Sequence, residues 1–184
     1  MIDIALIFGR YYPAGQPLST LVWNHSEQVA LLARRIALSC PHLKIDLEFL
    51  HEAAMLHDIG VFATHAPSIL CEGEEPYLRH GIIGAQLLRE EGLEKHALVC
   101  ERHIGVGLTI ADIEAQALPL PLRDMLPLSI EEKLICYADN FFSKSRPEQR
   151  RTQEQVRNGV VRFGSENLAR FDALVELFGP VGEE

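Results

Sequence analysis

Three shortages narrow the reading of this chain before any motif is found. No apolar run approaches the ~20 residues that a helix needs to cross a bilayer. The opening eight residues carry Asp3 and lack the basic start of a secretory signal, so a cytoplasmic protein is expected. Cysteine is sparse: Cys40, Cys71, Cys100 and Cys136 lie far apart with no Cys-x-x-Cys pair. That spacing excludes a zinc knuckle or dithiol redox motif and predicts reduced, buried thiols. Basic residues are outnumbered, 17 Lys and Arg against 26 Asp and Glu, giving a formal net charge of −9. The molecule as a whole therefore repels nucleic acid and anionic membrane, and neither is expected as a bulk partner. Sustained strand alternation is missing too, which leaves an all-α fold class.

What is present suits one domain. A chain of 184 residues with 47% apolar content can bury a core without disulfide or metal staples. Pro13, Gly15 and Pro17 break the backbone early, so residues 1–18 read as an irregular arm. Helical period starts at Ser19, taken as an N-cap, and stops at Pro41. A second helix runs from Asp46 to Gly60. Residues 61–76 read as a loop, and further helices span 76–92 and 94–103. Thr109-x-x-Asp112 and Ser129-Ile130-Glu131-Glu132 read as capping boxes, and helices over 148–162 and 165–178 close the chain. Residues 19–145 form the expected core, with 146–184 packing on it in the same domain.

The chemistry lies in the polar residues on the apolar faces of these helices. His25, Val29, Leu32 and Ile36 advance by four, three and four, a single helix stripe, and His57 completes Leu47, Leu50, Ala54 in the same way. His80 leads Gly84 and Leu87, and Asp139 falls between Ile135 and Phe142. Several helices thus aim an imidazole or carboxylate inward. Burying such groups unpaired costs several kcal/mol, and a shared metal compensates them together. Asp58 sits about 100° from His57 around the helix, close enough for both to reach one centre. Its position near a helix C-terminus is otherwise unfavourable for a carboxylate. His103, before Gly105-x-Gly107, is the sixth candidate, although an imidazole there also serves as a C-terminal helix cap. Mixed imidazole and carboxylate ligands suit Fe, Mn, Co, Ni or Zn and not a dedicated calcium site.

The order His25, His57-Asp58 within Leu56-His57-Asp58-Ile59-Gly60, then His80, His103 and Asp139 resembles the HD superfamily, in its HDIG-bearing branch. The strings Glu101-Arg102-His103-Ile104-Gly105 and Tyr137-Ala138-Asp139-Asn140 are similar to those of small stand-alone HD phosphohydrolases. The resemblance implies a helical bundle with a mono- or dinuclear site. His25, His57, Asp58 and Asp139 would hold one ion, and Asp58 would bridge to a second carried by His80 and His103. Many such relatives carry a lysine directly after the motif, where this chain has Val61. Arg79, Arg102 and Lys144, each near a ligand in sequence, are the candidates to bind substrate phosphate in its place, and each also reads as a solvated or capping cation.

Three functions fit this centre. The first is hydrolysis of a small phosphate mono- or diester, nucleotide-like, by a metal-bound hydroxide, with Asp58, His80 and His103 closest to the chemistry and no protein nucleophile. The second is a di-iron oxygenase acting on a C–H bond. The third is a metal-stabilised ligand sensor with a closed, fully ligated site.

Overall fold

The computed structural model describes residues 2–182, and within them the chain forms nine α-helices. These are α1 (Ile4–Gly9), α2 (Pro17–Ser39), α3 (Leu47–Leu56), α4 (His80–Glu90), α5 (Glu94–Arg102), α6 (Ile110–Ala115), α7 (Ile130–Asp139), α8 (Gln153–Val160) and α9 (Ser165–Phe178). The 23-residue α2 is the spine. Pro17 opens it, since a fixed φ and missing N–H cost nothing in a first turn. His25, Val29, Leu32 and Ile36 are all buried along its inner face. Asp46 starts α3 by accepting from the amides of Glu48 and Phe49. α3 and α7 pack on α2, α5 packs on both of them, and α4 folds back along α5 as a hairpin.

Apolar burial joins the two ends of the chain. Val29, Leu50, Ile135 and Phe141 share one core with Val156, Phe171 and Phe178, so α8 and α9 are built on the same interior as α2, α3 and α7. Tyr137 fastens this end: its hydroxyl donates to the Gly179 carbonyl at 3.0 Å and its ring stacks on Phe178. A second apolar cluster gathers Phe8, Tyr12, Leu56, Val61, Leu88 and Cys100.

Two glycines set how closely helices meet. A Cβ at Gly60 would lie 2.2 Å from the His80 carbonyl oxygen and 2.4 Å from the Gly84 amide nitrogen. One at Gly81 would lie 2.5 Å from the Cys100 carbonyl oxygen. The missing side chains let the turn after α3 rest on the start of α4, and α4 rest on α5. Both crossings bring His80 beside residues 57 and 58.

Four local expectations need correction. Residues 1–18 are not an irregular arm throughout: α1 forms where Asp3 accepts from the Leu6 amide, and its Ile7 and Phe8 are buried. Six residues are too few to show a helical period. α2 begins at Pro17, ahead of Ser19, which instead donates its hydroxyl to the Pro13 carbonyl. The stretch 61–76 holds a small sheet of order β2-β1-β3, with β1 (Thr64–Ala66) antiparallel to β2 (Cys71–Glu72) and parallel to β3 (Glu75–Pro76). Strands of two or three residues cannot display alternation. Ser129 caps α7 by accepting from the Glu132 amide, but Glu132 does not complete the box; it accepts from the Leu128 amide and from Arg102. Thr109 and Asp112 do form a full box, and an unforeseen one, Thr152 with Gln155, starts α8.

Gly60→Ala is expected to cost more than about 3 kcal/mol, because backbone atoms rather than flexible side-chain ends stand in the way. Gly159→Ala, helical and with open space around its would-be Cβ, should stabilise by about 0.5–1 kcal/mol. Urea unfolding of both variants checks the contrast.

A pH test follows from Asp112. Against burial, which raises its pKa, the Thr109 amide and hydroxyl, Asn167 and Arg170 hold its carboxyl below the usual range. A depressed pKa stabilises the fold above the unfolded value of about 3.9 and loses that contribution as pH falls through the folded value. Asp112→Ala should therefore cost about 1–3 kcal/mol near neutrality. The gap to the wild type should narrow below about pH 4, as read by denaturation across pH.

Candidate metal centre

Three of the histidines are positioned by one repeated device. His57 Nδ1 lies 2.6 Å from the Ala54 carbonyl, His80 Nδ1 2.6 Å from the Tyr77 carbonyl, and His103 Nδ1 2.8 Å from the Cys100 carbonyl. A carbonyl only accepts, so each Nδ1 carries a proton and each ring turns its Nε2 to the interior. His57 and His103 stand at the C-caps of α3 and α5, where last-turn carbonyls lack helical partners. His103 therefore does both things its sequence allowed: it closes the end of α5 and points into the centre. His80 opens α4, and His25 enters from the middle of α2.

These rings converge on Asp58, which is fully buried. Its two oxygens divide them. Oδ2 lies 3.1 Å from both His25 Nε2 and His57 Nε2, while Oδ1 faces His80 Nε2 at 3.3 Å and His103 Nε2 at 3.6 Å. Asp139, the last residue of α7, completes the first group with Oδ1 2.9 Å from His25 Nε2 and 3.5 Å from His57 Nε2. Two ligand sets result, His25, His57, Asp58 and Asp139 on one side and Asp58, His80 and His103 on the other.

Two observations fit a cation in each set. His25 Nε2, His57 Nε2 and Asp58 Oδ1 are buried without a hydrogen-bond partner, and Oδ2 meets the Lys144 ammonium, an arrangement that is costly unless something else satisfies the remaining atoms. His80 Nε2 and His103 Nε2 face each other at 3.1 Å, although both rings carry their proton on Nδ1. Two lone pairs repel at that distance, whereas bonds of ~2.0–2.2 Å at roughly right angles to one ion put neighbouring ligand atoms ~3 Å apart.

The electrostatics agree. Burial opposes charge on every member, but Asp58 and Asp139 push His57 up to about 10. Burial brings His80 down to about 3 despite Asp58. Against the same burial, His57 and Lys144 hold the Asp58 carboxyl well below the usual carboxylate range, and His25 and His57 do so for Asp139.

Among the three candidate phosphate-binding cations, Lys144 alone is placed on the cluster. Its Nζ lies 2.5 Å from Asp58 Oδ2 and 6.0 Å from the Tyr77 ring centre. Arg79 pairs with Glu75 at 2.7 Å and donates to the Pro119 carbonyl, and Arg102 pairs with Glu132 at 3.0 Å; both face other elements. Val61 is fully buried in the second apolar cluster, so the position gives packing and no cation. Sequence reasoning missed Tyr12, whose hydroxyl donates to the Asp58 carbonyl at 3.2 Å and accepts from the Phe62 amide at 3.1 Å. It lies in the stretch read as an arm, where nothing marked it.

Metal content of the wild-type protein should approach two ions per chain, and Asp58→Ala should lose both, since each set contains that residue. Asp139→Ala should lose the first and keep the second; full occupancy in Asp58→Ala would refute the bridging arrangement. An ion and a proton cannot share His57 Nε2, so metal uptake at pH 8 should release about one proton per chain from a group that Asp58 and Asp139 otherwise keep protonated. An ordinary histidine at about 6.5 would release almost none. Titration in buffers of different ionisation enthalpy distinguishes the two.

Comparison with known proteins bears on this geometry. The HD domain family profile matches residues 22–143. An uncharacterized protein of Methanocaldococcus jannaschii is 39% identical over 65% of this chain and 64% of its own length. Two proteins named tRNA (cytidine(56)-2'-O)-methyltransferase are also similar. That of Picrophilus torridus is 35% identical over 68% of this chain, and that of Thermoplasma volcanium 32% over 84%. The chain spans only 33% and 40% of the lengths of those two relatives. No solved structure matches. With its match covering most of the chain and both ligand sets falling inside it, the chain belongs to the HD domain family.

Proposed function

We propose that the protein is a metal-dependent hydrolase acting on a small phosphate mono- or diester. The observation that carries this reading is Lys144, an ammonium group seated on the central carboxylate of a cluster of metal-ligand type. Asp58 keeps it charged although burial opposes this. A fixed cation at that place attracts an anionic substrate and gives no advantage with an uncharged C–H bond, which favours hydrolysis over oxygenation.

Bound to these residues, divalent ions would lower the pKa of water and neutralise charge on a phosphoryl group. His25, His57, Asp58 and Asp139 would hold one, and Asp58, His80 and His103 the other. The remaining work falls to the chain. Lys144 has three donors; one engages Asp58, and the others are available to orient phosphoryl oxygens. The Asp139 side chain is 19% exposed whereas Asp58 is sealed, so substrate approaches from the Asp139 and Lys144 side. In the reaction a water oxygen adds to phosphorus, the ester P–O bond breaks, and the leaving oxygen takes up a proton. No serine or cysteine is needed as nucleophile: all four thiols are buried, and burial pushes those of Cys71, Cys100 and Cys136 up.

Methyl transfer to tRNA, as in the names of two relatives, is not carried over. The chain matches a third and two fifths of those proteins, and its buried polar residues form metal-ligand sets.

Reconstitution with manganese, cobalt or ferrous iron, followed by phosphate-release and oxygen-uptake assays on one panel of phosphoesters, tests the proposal. Phosphate release with a redox-inactive metal is expected, and Lys144→Met should lower kcat/KM by about 10²-fold while leaving metal content unchanged. Oxygen uptake with iron alone, and no phosphate release with any metal, would overturn it in favour of an oxygenase.

A further inference from the structure

The chain is acidic as a whole, but its charge is unevenly distributed. Residues 144–162 hold six of the 17 Lys and Arg and only two of the 26 Asp and Glu. Four of these six, Arg146, Arg150, Arg151 and Arg162, line a cleft of about 1020 Å³ between the end of α7 and α8, with no acidic residue in its lining. Seven other arginines are neutralised: Arg10, Arg79, Arg89, Arg102, Arg123, Arg157 and Arg170 each pair with an Asp or Glu. Among the described residues none of the four in the cleft does so. Arg150 donates to the Gly182 carbonyl and Arg151 to the Asn140 carbonyl, while Arg146 and Arg162 have no ion-pair partner. Among the described residues, acids are absent from the lining of this one concavity, which gathers four guanidinium groups. Mutual repulsion makes that arrangement unfavourable on its own, and an anion with several charged oxygens relieves it.

The lining is chemically mixed. It includes Asn140, the residue after Asp139, and Arg151 is tied nearby by donating its amide to the Phe141 carbonyl at 2.8 Å. It also includes Phe163, 61% exposed, together with Asn158 and Gln155. Exposed aromatic rings stack on nucleobases, and guanidinium groups bind phosphates bidentately. The volume lies at the upper end of the ~300–1,000 Å³ typical of small-molecule sites and suits one nucleotide better than a polymer. We propose that this arginine cleft binds a nucleoside polyphosphate, with its phosphates along Arg146, Arg150, Arg151 and Arg162, its base against Phe163 and its phosphate end toward Asn140 and the metal-ligand cluster. The binding stands on the cleft alone; that the ligand is also the substrate rests on the hydrolase reading.

Isothermal titration of the full chain in EDTA, with ATP, inorganic tripolyphosphate, adenosine and a short single-stranded RNA as probes, separates the two claims. ATP and tripolyphosphate should bind and adenosine should not. The double variant Arg146→Ala, Arg162→Ala should weaken both at least about tenfold, Phe163→Ala should weaken ATP alone, and Arg157→Ala, outside the lining, should change neither. Thermal melting verifies that each variant is folded. Wild-type affinity for ATP in the double variant, or RNA binding at least about tenfold tighter than ATP, would overturn the proposal. Binding that depends on the arginines, with no phosphate release from ATP or from the phosphoester panel under any metal, would sustain the cleft and defeat the hydrolase reading. Release of phosphate from the phosphoester panel, with ATP binding indifferent to the arginine pair, would do the reverse.

Discussion

A carboxylate with no exposed surface at the junction of several helices is the condition on which the structure depends. Removing an ionised group from water costs several kcal/mol unless partners repay it. Asp58 is balanced by the Lys144 ammonium and faces imidazole nitrogens on both of its oxygens, groups drawn from α2, the ends of α3 and α5, the start of α4 and the chain after α7. No single helix can supply these partners. The fold is therefore constrained to bring those segments to one point.

Helix ends carry much of that burden. Rings that donate Nδ1 to a carbonyl three residues back are stiff without contact to anything distant, so His57, His80 and His103 arrive with their tautomer and aim already chosen. What must then be controlled is how near the helix ends come to one another. Gly60 and Gly81 do this by removing side chains from backbone crossings. In the string His57-Asp58-Ile59-Gly60, the first two residues carry candidate ligand atoms, Ile59 is buried packing, and the glycine sets a distance.

How much of this could be read in advance follows from the range of each signal. Stripes on α2 and α3 span several turns, so the inward placement of His25 and His57 was legible, as were the helices themselves. His103 was ambiguous because capping and ligation need the same position, and its ring both closes the end of α5 and points into the cluster. Arg79 and Arg102 were misplaced because adjacency along a helix is not adjacency in space: one residue is a turn of about 100°. Each neighbours a histidine in sequence and faces a different element. Lys144 lies beyond the end of α7, where no helical period applies, and only the path of the chain brings it back to Asp58. α1, the small sheet and the Thr152 cap were too short or too local to register. The arginine cleft was invisible for another reason, since its residues come from exposed positions that look like any solvated surface until the concavity is seen.

His25 and Asp139 touch at 2.9 Å although 114 positions separate them in sequence. During synthesis the chain emerges N-terminus first, so α2 to α5 can pair while Asp139 and Lys144 are still to come. At that stage Asp58 has its four imidazoles but neither the opposing carboxylate nor the ammonium that balance the mature cluster. Until α7 docks, His25, His57 and Asp58 stand without the Asp139 carboxylate that completes the first candidate set. The cluster thus assembles in two stages: Asp58, His80 and His103 come together with α4 and α5, and Asp139 and Lys144 join with the docking of α7.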